Sequence, residues 1–125
     1  MSKRLLIVDD SLLMRKMIAE TLVNDGWVVA GEASTGEEAV EQYRAVRPDA
    51  VTLDIIMPGR DGTYALEQIL AFDPNAKIVV VSALNQTRMI SEAIRKGAQD
   101  FIAKPFLPEQ LQQTMRLCVE EAAAV

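Results

Sequence analysis

Asp9 and Asp10, Asp54, Ser82 and Lys104 each follow a short apolar run: Leu5–Val8, Val51–Leu53, Ile78–Val81 and Phe101–Ala103. Three carboxylates, a hydroxyl and an ammonium at equivalent places in four runs suit the handling of a phosphoryl group. Crowded carboxylates repel, and each proton lost makes the next harder to lose. A divalent cation relieves that repulsion. Mg2+ fits best, because it takes one or two carboxylates and leaves positions for water and a phosphate oxygen. A carboxylate such as Asp54 can attack phosphorus to give an acyl phosphate. Phosphoryl transfer needs in-line positioning and neutralised equatorial oxygens. Mg2+ on one side and Lys104 on the other would supply that charge, with Ser82 donating a hydroxyl hydrogen bond.

For these residues to meet, the runs must be neighbouring strands pointing the same way. Apolar runs of this composition, separated by helical stretches, read as a buried parallel sheet, and ligands of open α/β sheets bind along the carboxyl edge. Strands are expected at about Lys3–Val8, Val28–Ala33, Ala50–Leu53, Lys77–Val81 and Asp100–Ala103. Helices are expected at about Ser11–Asp25, from Thr35 to before Pro48, Gly62–Phe72, Gln86–Lys96 and from Pro108 onward. Ser11 is a good N-cap, Thr35-Gly36-Glu37-Glu38 reads as a capping box, and Gly26 and Gly97 are stops. Met14, Met17, Ile18 and Leu22 form one apolar stripe. Leu107, Leu111, Met115 and Cys118 form another, which makes Cys118 a small buried hydrophobe. Five βα units in this length predict an α/β fold with a doubly wound, five-stranded parallel sheet, helices on both faces and right-handed crossovers.

The chain has 125 residues, net charge −5 and no histidine. That length is one domain, here residues 1–125. The missing histidine excludes a Ser-His-Asp or Cys-His nucleophile and any histidine metal site. The acidic balance, without a Lys/Arg run, disfavours direct nucleic-acid binding. No apolar stretch approaches a membrane span, and the run after Met1-Ser2-Lys3-Arg4 is too short for a secretory signal. A cytoplasmic chain is expected. One cysteine cannot form an internal disulfide.

Together the motifs resemble a response-regulator receiver domain of the CheY type, over essentially the whole chain. They are Val8-Asp9-Asp10-Ser11, Leu53-Asp54-Ile55-Ile56-Met57-Pro58-Gly59-Arg60-Asp61-Gly62, Val81-Ser82-Ala83 and Gly97-Ala98-Gln99-Asp100-Phe101-Ile102-Ala103-Lys104-Pro105-Phe106. The resemblance implies that Asp54 is the phosphoacceptor. It implies that Asp9, Asp10, Asp54 and the backbone carbonyl of Ile56 hold Mg2+, that Lys104 contacts the phosphoryl group, and that Ser82 and Phe101 form the switch. It also implies the flavodoxin-like strand order 2-1-3-4-5 and a cis Lys104–Pro105 bond. The function implied is a phosphorylation-dependent switch in a two-component phosphorelay, chemotaxis among the pathways. It would take its phosphoryl group from a sensor histidine kinase or phosphotransfer protein. A changed surface of the fourth helix, fifth strand and last helix would then bind a downstream protein target, with the chain acting as a monomer. Catalysis is limited to its own phosphorylation and dephosphorylation, so it is not an enzyme in the ordinary sense. Ile56 and Leu84, both apolar, flank the acceptor where the best-studied chemotaxis regulators carry polar residues, and Phe101 stands where those have Tyr.

Each site residue also has a plainer reading: Asp9-Asp10 as a strand-ending turn, Asp54 as a solvated loop charge, Ser82 as a turn residue, Lys104 as a surface lysine, Phe101 as core. Three other functions fit parts of the same pattern. An aspartate-nucleophile phosphatase of the haloacid dehalogenase type would need a second Asp where Ile56 stands. A flavin- or nucleotide-binding domain would want a Ser/Thr/Gly-rich loop where Asp9-Asp10 stand. A receiver within a longer DNA-binding regulator stays open, although the initiator-like Met1 and the helical end at Val125 fit a stand-alone chain.

Overall fold

The structure, a computed structural model, describes residues 3–58, 61–83 and 87–123. Strand and helix alternate five times: β1 (Lys3–Val8), α1 (Leu12–Val23), β2 (Trp27–Ala33), α2 (Gly36–Val46), β3 (Ala50–Leu53), α3 (Gly62–Phe72), β4 (Ile78–Ala83), α4 (Thr87–Lys96), β5 (Asp100–Lys104) and α5 (Pro108–Ala123). All strands pair in parallel, in the order β2-β1-β3-β4-β5. At the carboxyl edge the strands run longer than expected, while α1 ends two residues early. β4 runs on through Ser82 and β5 through Lys104, because Ser82 pairs with Ala103 and Ala83 with Lys104. The positions of Gly59, Arg60, Leu84 and Gln86 lie outside the described residues.

Side chains alternate across a strand, so β1 serves two cores. Leu5 and Ile7, with Val79, Val81 and Ile102, meet Ile18 and Leu22 of α1 and Leu111, Met115 and Cys118 of α5. On the opposite face Leu6, Val8, Leu53 and Val80 pack against Tyr43 of α2, Leu66 and Ile69 of α3, and Ile90 and Ala93 of α4. Each fully buried Leu or Ile contributes about 1.5–3 kcal/mol. Two residues of the expected stripes depart from them, Met17 at 43% exposure and Leu107 at 68%. Ile18 and Leu22 define the buried line of α1, and Met17 sits beside that line. Leu107 precedes Pro108, the first residue of α5, so helical spacing does not reach it.

Local chemistry fixes the helix ends. Ser11 Oγ accepts from Met14 N (3.2 Å) and Thr35 Oγ1 from Glu38 N (3.1 Å). Glu38 returns its side chain to Ser34 N and Oγ (2.8 and 2.7 Å), so the box closes one residue early. α2 ends on Arg47 with φ +47, a left-handed conformation unusual without glycine. The Arg4 guanidinium binds the carbonyls of Val46 and Arg47 there and holds the turn.

The start of α3 presses on the end of β3. Asp61 caps it, accepting from Thr63 N and Tyr64 N (3.0 and 3.2 Å), and Gly62 N donates to Ile55 O (2.8 Å). A Cβ at Gly62 would collide with the Asp54 carbonyl oxygen and lie 2.6 Å from Ile55 Cα. Both are backbone atoms with little room to yield. Gly62→Ala should therefore cost about 3 kcal/mol, the upper end of overpacking penalties. Urea unfolding should show a lowered midpoint, and an unchanged one would contradict this close approach.

Candidate functional site

The chain leaves β1 toward β2 on one side and returns as β3 on the other. Doubly wound sheets, receiver domains among them, bind ligands at the carboxyl end of such a reversal. Asp9 and Asp54 are the first residues past β1 and β3. The sheet still grips their backbones: Asp9 N donates to Ala33 O and Asp54 N to Val8 O, each at 3.0 Å. Both side chains are buried, as is Ser82, while Asp10 is exposed.

Lys104 Nζ reaches across from β5 to donate to Asp9 Oδ2 at 2.7 Å and Asp54 Oδ2 at 3.2 Å. Asp9 Oδ1 accepts from Ser11 N (2.9 Å), and the Asp9 carbonyl accepts from Arg15 Nη1 (2.7 Å). Asp54 Oδ1 accepts from Ile56 N at 3.3 Å, and Ser82 Oγ stands 3.5 Å from it, at the outer limit of a hydrogen bond. Carboxylate oxygens of Asp9, Asp10 and Asp54 lie within 4.8 Å of one another. The structure thus brings together Asp9, Asp10, Asp54, Ser82 and Lys104. Phe101 sits lower on β5, paired with Val80 and partly buried against the core that faces α2, α3 and α4. The Lys104–Pro105 bond is cis.

Burial pushes the Asp54 carboxyl above its ordinary range. Lys104 pulls it back, and the neighbouring Asp9 charge pushes it up again. Burial works against the Lys104 ammonium, but its bonds and charge attraction to Asp9 and Asp54 outweigh that and raise it. The site therefore keeps its lysine charged and holds an anion at some cost. Oxygen ligands at this spacing suit a hard divalent ion, and a point charge and a hydroxyl flank the same carboxylate.

Sequence reasoning passed over Arg15 and Glu32, and took Gly62 only as a helix start and the end of a motif. Arg15 lies one helical turn beyond the Asp-Asp pair, a place where a cation is ordinarily solvated. Only the reach of its side chain to a backbone carbonyl separates it from that reading.

The family profile described as the response regulator receiver domain matches residues 5–116. The chain belongs to that family. This receiver domain is 50% identical to the chemotaxis protein CheY of Thermotoga maritima over 115 residues, 92% of its own length and 96% of the relative's. It is 45% identical to the chemotaxis protein CheY of Bacillus subtilis over 115 residues, again 92% and 96% of the two chains. Among solved structures, it matches a chain of the CheX-CheY-BeF3-Mg+2 complex from Borrelia burgdorferi with a TM-score of 0.85 and 38% identity, covering 91% of this chain and 87% of that one. No helix among the described residues is long and apolar enough to cross a membrane.

The raised carboxyl of Asp54 has a signed consequence for stability. Because the folded state favours the proton on Asp54, this residue stabilises the fold at low pH. That contribution is lost as pH rises through the ordinary carboxylate range and then through the raised folded value. Asn is neutral throughout. The melting temperature of Asp54→Asn relative to the unsubstituted protein should therefore climb across that interval, without added metal, and level off above it. A difference that falls with rising pH would contradict the burial argument.

Proposed function

We propose that this receiver domain, residues 1–125 acting as one unit, is a phosphorylation-dependent switch whose acceptor is Asp54. The single observation that carries this reading is the Lys104 ammonium held between Asp54 and Asp9, inside a cleft where three carboxylates converge. Among the described residues, Asp54 is the one carboxylate that touches the lysine, the hydroxyl of Ser82 and a backbone N–H together. A carboxylate oxygen of Asp54 attacks the phosphorus of a phosphohistidine. The O–P bond forms, the N–P bond breaks, and the electron pair leaves with the imidazole nitrogen, which takes a proton. Asp9, Asp10 and Asp54, with the Ile56 carbonyl, would hold Mg2+, which supplies charge neutralisation to the phosphoryl oxygens. Lys104 gives up one carboxylate contact for a phosphoryl oxygen, a charge-assisted bond. Ser82 turns its hydroxyl toward another.

The switch follows from that last movement. Ser82 and Phe101 are on adjacent strands, β4 and β5, so displacement of the hydroxyl frees space that Phe101 can take up. That change would remodel the surface of α4, β5 and α5, a local charge event biasing a two-state element. The partners proposed are a histidine kinase or phosphotransfer protein upstream and a protein target downstream, in the cytoplasm, with the domain as a monomer. Kinship with chemotaxis proteins named CheY favours a chemotaxis pathway. Apart from turning over its own acyl phosphate, the domain has no proposed enzymatic activity. A phosphatase reading lacks support, since Ile56 stands where a second aspartate would be needed.

Incubation with Mg2+ and a small phosphodonor should add one phosphate to the intact mass. Asp54→Asn should abolish that gain while keeping the fold, and full labelling of the variant would reject the assignment. Asp10→Ala should abolish Mg2+ binding by calorimetry and raise the melting temperature of the metal-free protein by relieving repulsion. Unchanged Mg2+ affinity would contradict the ligand set.

Ile56 is 46% exposed beside the acceptor. An apolar side chain there offers no hydrogen bond to orient a water for attack on the acyl phosphate. Ile56→Asn should speed decay of the phosphorylated protein by about tenfold, equal to roughly 1.4 kcal/mol of barrier. Decay followed in excess chelator measures this, and an equal or slower rate would reject a guarding role.

A further inference from the structure

Arg15 makes two directed contacts from a side chain only 16% exposed. Nη1 donates to the Asp9 carbonyl at 2.7 Å, and Nε donates to Glu32 Oε1 at 2.9 Å. Glu32 is itself set in the sheet, on β2 opposite Ile7 of β1. Asp9 is thus held at both ends. Its carboxylate is fixed by Ser11 N and Lys104, and its carbonyl by Arg15. That carbonyl belongs to the peptide that joins Asp9 to Asp10, whose carboxylate is exposed.

We propose that Arg15 is a positioning residue for the cation site: anchored by Glu32, it fixes the Asp9–Asp10 peptide so that the Asp10 carboxylate stays within reach of Asp9 and Asp54. This rests on the reading of Asp9, Asp10 and Asp54 as the Mg2+ ligands. Charge and position act in opposite directions at Arg15. A guanidinium beside a cation site repels the cation, so removing only its charge would tighten Mg2+ binding. Removing a brace loosens it, and groups that orient metal ligands from outside are typically worth roughly 10–100-fold in affinity. Lysine keeps the charge but has one nitrogen, which cannot serve the carbonyl and Glu32 in the fork geometry that arginine provides.

The experiment is calorimetric titration of Mg2+ into the unsubstituted protein and into Arg15→Met, Arg15→Lys and Glu32→Gln, at low and at raised ionic strength, with melting temperatures measured alongside. Arg15→Met should bind Mg2+ about tenfold more weakly. Arg15→Lys should fail to recover the affinity, and Glu32→Gln should lose several-fold. The ratios should persist at raised ionic strength, where a through-space charge effect is screened. Equal or tighter binding by Arg15→Met, or full recovery by Arg15→Lys, would overturn the proposal. Should Arg15→Met not fold, Glu32→Gln decides, because its side chain is 46% exposed and its loss leaves the core intact; unchanged affinity there would overturn the brace. An unsubstituted protein that takes up no Mg2+ would overturn the ligand reading itself, and this inference with it. Normal uptake with insensitive variants would overturn the inference alone.

Discussion

Everything at the carboxyl edge depends on one ammonium group shared by two buried carboxylates. Asp9 is 1% exposed and Asp54 7%, and neither anion could be held there unpaired without a penalty of several kcal/mol. Lys104 meets both, and backbone N–H groups from Ser11 and Ile56 satisfy the remaining oxygens. The sheet exists, in functional terms, to bring β5 close enough to β1 and β3 for that contact. β4 lies between them and contributes Ser82. The two carboxylates are not served equally by the lysine. Asp54 has the weaker of the two lysine contacts, and burial pushes its carboxyl above the ordinary range, so it is the carboxylate with most to gain from a new electrostatic partner.

Much of this was legible in the residues because two periodicities agree. Strand alternation and short apolar runs placed Asp9, Asp54, Ser82 and Lys104 at one edge, and the helix signals at Ser11, Thr35 and Gly26 placed the connections. What stayed hidden depends on side-chain reach. Nothing in the spacing of Arg15 says that it curls back to the Asp9 carbonyl, and nothing in Gly62 says that the Asp54 backbone lies against it. Met17 and Leu107 misled for a related reason. Apolar residues at helical spacing were assigned to the core, but the stripe of α1 is narrow and α5 begins only at Pro108. Strand ends were also read short at β4 and β5, since Ser82 and Lys104 look like loop residues and yet continue the ladder. Residues with chemistry to perform break the local pattern that would otherwise mark them as part of the strand.

The long reach between Lys104 and Asp9, 95 positions along the chain, has a consequence for the order in which the molecule can be made. Domains emerge from synthesis amino end first, at about 5–20 residues per second. β1 and β3 carry Asp9 and Asp54 out early, and both then wait for the last strand before their charges can be matched. An emerging chain that buried those carboxylates in advance would pay the desolvation without the ion pair. The favourable course is for the β1–β3 edge to stay hydrated until β5 arrives, and for the carboxyl edge to close last. α5 packs on the sheet face that α1 also covers, tied to the far end of α1 by Arg116 on Asp25 and Gln112 on the Thr21 carbonyl. The carboxyl edge is therefore complete only once β5 has joined the sheet, so a truncated chain lacking β5 carries the acidic residues without the cation that lets them sit together.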